Sequence, residues 1–333
     1  MEELCKTVDL NRHGRSRPAH PLTARSHTLV TMTKVLEIRP QVAISSYFAS
    51  QSNKLEGLMR EPHAAMGKTR VTQRVPLAEL VRNGDRPIGS MVFSTDPAVT
   101  ALLGSIGYTF VVIDQEHAPN DTQSTLNHIR AAEANGIIPL VRVSENRPKL
   151  ISAALDMGAH GIIVPMIGSA DEARAALRAS QYTPGGRGMC TAVEGARWAD
   201  FEDWAEHCEA SNNNICLIPL IETRAGVENL GEIVAVDGID LVFFGMADLA
   251  QDLGVDFHTE KAKIQEIWRA AVDTAHEAGG FLGAPAGRGF DEADFSTIRN
   301  DLTLLKIAAT QQLAEVTAAR HAGSRAERRG VTG

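Results

Sequence analysis

Cysteine is scarce in this 333-residue chain: Cys5, Cys190, Cys208 and Cys216 are the only four, and none forms a Cys-x-x-Cys pair. That argues against a disulfide framework and reads as reduced thiols of a cytosolic protein. Cys216 falls in an apolar stretch and reads as core; Cys190 falls in a loop at the expected rim, where a reactive role stays open. No run of 18 apolar residues occurs, so no transmembrane helix is expected. The zinc motif His-Glu-x-x-His and a serine nucleophile elbow are both missing. Aromatics make up only 5% of the residues, and no basic, aromatic-lined entry for a nucleotide can be traced.

Charge is unevenly spread. Residues 1–70 hold 11 Lys and Arg against 6 Asp and Glu, which leaves 22 against 35 in the remainder. An acidic main domain attracts neither nucleic acid nor an anionic membrane surface, so an anionic small molecule must be captured by a local arginine or a metal. The first 74 residues show a basic bias and neither helical nor strand periodicity; they are expected to form a poorly ordered extension. Met32, Met59 and Met66 leave open whether residues 1–66 belong to the functional chain.

From Val75 onward the pattern is regular. Eight short apolar runs read as strands at 88–93, 109–114, 138–143, 161–165, 216–222, 240–245, 281–285 and 302–307. Helical patterns separate them at 97–106, 122–135, 148–157, 170–180, 201–210, 226–234, 260–278 and 292–299. This order and length predict an α/β fold, a (β/α)₈ barrel over 75–320 with a flexible tail at 321–333. An open doubly wound sheet fits less well, because Ser94-Thr95-Asp96-Pro97 after the first strand lacks phosphate-binding glycines.

Strand ends carry the unusual residues. Glu222 and Asp248 each follow a buried run, and two acids on a barrel's C-terminal rim suit a hard divalent cation; helix capping is the plain alternative. Asp114, Glu116 and His117 end the second strand, and Arg142 ends the third. Lys306, read on the eighth strand, leaves Schiff-base chemistry open.

Ile113-Asp114-Gln115-Glu116-His117-Ala118-Pro119-Asn120, Ile221-Glu222-Thr223-Arg224 and Gly245-Met246-Ala247-Asp248-Leu249 together resemble the signature segments of the HpcH/HpaI aldolase/citrate lyase family. These are class II metal-dependent pyruvate aldolases of the 2-dehydro-3-deoxyglucarate aldolase type, and the resemblance runs from about residue 75 to 318. It implies a carbon-carbon lyase that cleaves a 4-hydroxy-2-oxo acid to pyruvate and an aldehyde, reversibly, through a metal-bound pyruvate enolate. Glu222 and Asp248 would hold Mg²⁺ (or Mn²⁺ or Co²⁺), and Arg142 would grip the substrate carboxylate, unless it is a buried ion pair. His117 would be the acid/base, with Asp114 orienting the cluster. Asp156 would reach the histidine of a neighbouring subunit, or else is an exposed helix-end acid. Arg187 and Gly188, in a glycine-rich loop, would cover the metal, and Gly245 and Ala247 would contact pyruvate. A cytoplasmic homo-oligomer, a hexamer built as a trimer of dimers, is implied as well.

The chain departs from the family pattern at Leu220, in place of a glutamine, at Met246, in place of a proline, and at Gln115, in place of a glycine. The Gly-x-Asp that often follows the last strand is not found after residues 306–310. A second reading therefore stays open on the same fold: citrate-synthase-like or macrophomate-synthase-like bond formation from oxaloacetate.

Overall fold

The computed structural model describes residues 75–330 apart from His258 and Arg288. The expected N-terminal extension, residues 1–74, lies outside the described residues. The described residues belong to one compact unit.

Eight parallel strands close into a barrel in sequence order. They are β1 (Ile88–Val92), β2 (Phe110–Asp114), β3 (Ile138–Arg142), β4 (Gly161–Val164), β5 (Cys216–Ile221), β6 (Leu241–Phe244), β7 (Phe281–Pro285) and β8 (Phe295–Asn300). The helices are α1 (Leu77–Arg82), α2 (Ala98–Ile106), α3 (Thr122–Ala134), α4 (Pro148–Asp156), α5 (Ala170–Ser180) and α6 (Trp204–Asn214). After β5 come α7 (Arg224–Glu228), α8 (Leu230–Val234), α9 (Met246–Asp252), α10 (Lys261–Glu277) and α11 (Asp301–Gly330). No helix among the described residues is long and apolar enough to cross a membrane.

The strand period of two divides the core and aims the site. Phe110, Val112, Ile138, Leu140, Ile218, Leu220 and Phe243 pack with one another inside the barrel, and Leu77, Ala78 and Val81 of α1 join them. Their neighbours Val111, Ile113, Val141, Leu217, Ile221, Val242 and Phe244 pack outward against the helices. Continuing the inward series by one step gives Asp114 on β2, Arg142 on β3 and Glu222 after β5. Alternation alone therefore points these three polar side chains into the C-terminal mouth, where barrel sites are built.

The last strand differs from expectation. Residues 302–307, read as a strand, belong to α11, and residues 292–299, read as a helix, contain β8. Leu302, Leu304, Leu305 and Ile307 fit a helix as readily as a strand, and Leu302, Leu305 and Ile307 are exposed. The true strand, Phe295-Ser296-Thr297-Ile298-Arg299-Asn300, has four polar residues out of six and so carries no apolar run. The aspartate expected after the last strand is present as Asp301, with Arg299 where the pattern has glycine. The same helix takes in residues 321–330 of the expected tail; 331–333 lie outside the described residues.

Candidate functional site

Asp114 and Arg142 are direct neighbours across the β2–β3 ladder. Arg142 Nε and Nη2 donate to Asp114 Oδ1 and Oδ2 at 2.9 and 2.6 Å, a two-pronged contact that fixes the guanidinium plane. Asp114 is wholly buried and also accepts the Glu116 backbone N–H at 2.9 Å. Burial works against the Arg142 cation, but the hydrogen bonds and charge of Asp114, together with the charges of Glu116 and Glu222, hold the arginine above its ordinary pKa.

Glu116 Oε2 lies 3.1 Å from Arg142 Nη1, close enough for an ion pair but off the hydrogen-bonding axis, so this buried oxygen accepts no hydrogen bond. Burial is the chief reason its carboxyl titrates above the usual range. His117 Nε2 stands 3.9 Å from the same Glu116 oxygen, with the imidazole 56% exposed.

Glu222 is 3% exposed, and its Oε1 accepts the Met166 backbone N–H at 2.8 Å. Met166, in the loop after β4, holds a left-handed φ of 58°. For a side chain of this size that conformation costs ~1–2 kcal/mol. Burial pushes the Glu222 carboxyl up to about 7, the Met166 amide opposes that, and the negative Glu116 and Asp248 reinforce it. Helix capping does not explain either acid. Thr223 caps α7 through Gly226 N–H, and Asp248 sits inside α9, whose N-cap is Gly245.

A cavity of about 340 Å³ opens at this end of the barrel, and Arg142, Glu222, Gly245, Ala247 and Asp248 all line it. Its apolar wall includes Met91, Phe93, Phe243 and Phe257. Gly245 is required by close approach: a Cβ there would stand 2.7 Å from Glu222 Cβ and 2.8 Å from Glu222 Oε2. Without one, Oε2 faces open space, and neither it nor the Asp248 carboxylate has a hydrogen bond or ion pair among the described residues. Two bare carboxylates in one cavity repel each other and fit a hard cation that retains water ligands, as Mg²⁺ does. No group of three or more His, Cys, Asp or Glu able to hold a metal occurs among the described residues.

Other expected site residues lie apart from this cavity. His117 stands beside Glu116 but is not among the lining residues, and Asp114 acts from behind Arg142. Asp156, at the end of α4, accepts from Arg187 Nε and Nη2 at 3.0 and 2.7 Å in the same chain. That pair buries Arg187, whose guanidinium stacks 4.5 Å from the Tyr182 ring centre. The structure therefore puts Arg187 in a structural contact, and Gly188, with nothing within 4 Å of a Cβ placed there, does not line the cavity. Lys306 is exposed on α11, and among the described residues no lysine lines the cavity. Cys190 is exposed, and Cys216 is buried with its thiol pushed up to about 12. Sequence reasoning missed the aromatic wall and Arg299, which lines the cavity with a left-handed φ of 48°.

A model of the HpcH/HpaI aldolase/citrate lyase family matches residues 88–288. The hydroxypyruvate/pyruvate aldolase of Roseovarius nubinhibens is 38% identical over 241 residues, covering 70% of this chain and 93% of its own length. The 2-keto-3-deoxy-L-rhamnonate aldolase of Escherichia coli is 34% identical over 212 residues, 62% of this chain and 78% of its own. Among solved structures, citrate synthase SbnG superposes with a TM-score of 0.66 at 27% identity, over 74% of this chain and 99% of that one.

Proposed function

Because the chain belongs to the HpcH/HpaI aldolase/citrate lyase family, we propose that its cavity cleaves a 4-hydroxy-2-oxo acid to pyruvate and an aldehyde, and runs the reverse addition. It is an enzyme of the aldehyde-lyase type. The observation that carries this reading is the convergence of Arg142, Glu222 and Asp248 on one cavity at the C-terminal mouth.

Arg142, Glu222 and Asp248 have roles that their surroundings support, and the resemblance supplies that of His117. Arg142, held by Asp114, offers its remaining N–H groups to the substrate carboxylate, for which a planar fork suits better than an ammonium. Glu222 and Asp248 would hold Mg²⁺, with Mn²⁺ and Co²⁺ as alternatives, and an ion bound there would supply Lewis acidity for the 2-oxo group. The resemblance assigns the proton of the C4 hydroxyl to His117, which stands beside Glu116 at the edge of the site and would have to reach the substrate from there. The C3–C4 bond then breaks, the aldehyde departs, and the electron pair left on C3 is delocalised toward the 2-oxo group until C3 is protonated. Gly245 and Ala247 leave backbone close to the bound acid, and the apolar wall keeps water from the reacting carbon.

The resemblance also supports a cytoplasmic homo-oligomer, a trimer of dimers, in which Asp156 would serve a neighbour's His117. The pairing of Asp156 with Arg187 inside one chain means such a contact must share or break that pair.

Pyruvate release from a panel of 4-hydroxy-2-oxo acids, with and without chelator, tests the proposal. Release that needs the metal supports it, and no release from any member refutes it. Coenzyme A release from acetyl-coenzyme A and oxaloacetate would favour the chemistry named for SbnG instead.

A further inference from the structure

Arg299 stands at a deliberate irregularity. Gly89 pairs with Thr297 and Met91 with Asn300, so β8 carries one residue more than β1 across this step. Such a bulge bends its strand and re-aims a side chain out of the regular alternation. The buried Ser90 hydroxyl lies 3.3 and 3.4 Å from the carbonyl oxygens of Ile298 and Arg299, giving the irregular turn its own donor. Within the bulge Arg299 holds a φ of 48°, a conformation that favours glycine. Strain of this kind collects at functional sites when the surroundings over-determine it.

The side chain it delivers is an exposed guanidinium lining the cavity, with no hydrogen bond or ion pair among the described residues. Arg142 differs: Asp114 and Glu116 already hold it, and the proposed function assigns its remaining N–H groups to the 2-oxo acid. Glu222 and Asp248 fill the same cavity with negative charge, which opposes a second anion unless a cation meets it.

Resting on the reading of this cavity as the aldol site, we infer that Arg299 recognises an anionic group on the acceptor aldehyde, at the end remote from its carbonyl. The guanidinium fork matches a carboxylate or a phosphate. The aromatic wall covers the carbon chain between the two charged ends.

The full-length enzyme separates the sources. Aldol addition of pyruvate is followed with three acceptors of equal length: one with a terminal carboxylate, one with a terminal phosphate, one neutral. The wild type should favour an anionic acceptor. Arg299→Gly should lower the anionic-to-neutral ratio of kcat/KM by about tenfold or more, through KM, because a charge-assisted contact is lost. Arg299→Lys should keep most of that ratio. The acceptor that loses more identifies the anion. Glycine suits this φ, so Arg299→Gly should melt no lower than the wild type. A folded Arg299→Gly with an unchanged ratio, or a wild-type preference for the neutral acceptor, overturns the inference. Exchange of pyruvate methyl protons with deuterated water in the wild type reports the aldol reading separately, and its absence would count against that reading.

Discussion

Asp114 and Arg142 face each other across two adjacent parallel strands, and the ladder register rather than side-chain reach sets their contact. The aspartate is fully buried and the arginine 11% exposed. Arg142→Ala should therefore cost about 3–5 kcal/mol of stability as well as activity, because it strands a buried carboxylate. Arg142→Lys keeps the charge but loses the two-pronged geometry, and should fold with a raised KM for the 2-oxo acid. Denaturant unfolding and steady-state kinetics separate the two effects. An Arg142→Lys enzyme with wild-type KM would exclude the carboxylate clamp.

Glu222→Gln tests the metal reading with little steric change. The glutamine oxygen can still accept Met166 N–H, now 2.8 Å from the glutamate, so the fold should persist. Calorimetric titration with Mg²⁺ or Mn²⁺ should show binding lost, and turnover should fall by orders of magnitude. Retained metal affinity would remove Glu222 from the ligand set.

Much of this was legible in the sequence. The first seven strands are buried runs bounded by turns, and the inward alternation follows from them, so Asp114, Arg142 and Glu222 could be placed on one rim. The eighth strand was hidden because Ser296, Thr297, Arg299 and Asn300, four of its six residues, are polar, and the helix after it opens with Asp301-Leu302-Thr303-Leu304-Leu305. Arg299 carried no periodic signal, since a bulge breaks the alternation that sequence reading depends on. Asp156 and Arg187 each stood in a motif-like segment, but their mutual pairing is a long-range contact that spacing cannot reveal.

Metal binding should depend on pH with a definite sign. Glu222 titrates near about 7 when buried, against an ordinary 4.5, so the folded metal-free protein binds that proton more tightly than the unfolded chain does. Its contribution to stability is therefore present at low pH and is lost as pH rises toward about 7. The metal must displace the same proton, so its apparent affinity should climb about tenfold per pH unit below that value and level off above it. Melting curves across this range, with and without saturating Mg²⁺, should diverge as pH rises. Parallel curves would mean that proton and metal do not compete for Glu222.

Gly245→Ala should damage the site more than the fold. The new methyl group would stand 2.7 Å from Glu222 Cβ and 2.8 Å from Oε2, inside any real contact, so the carboxylate must move. Overpacking of this kind costs about 1–3 kcal/mol. A displaced ligand should lose 10–100-fold in metal affinity, as an approximate scale for disturbed ligand orientation. Gly188→Ala is the matched control for stability, since nothing lies within 4 Å of a Cβ there and its φ is unstrained. Unchanged Mn²⁺ affinity in a folded Gly245→Ala protein would show that Glu222 yields without consequence, and that the glycine serves the 2-oxo acid rather than the ion.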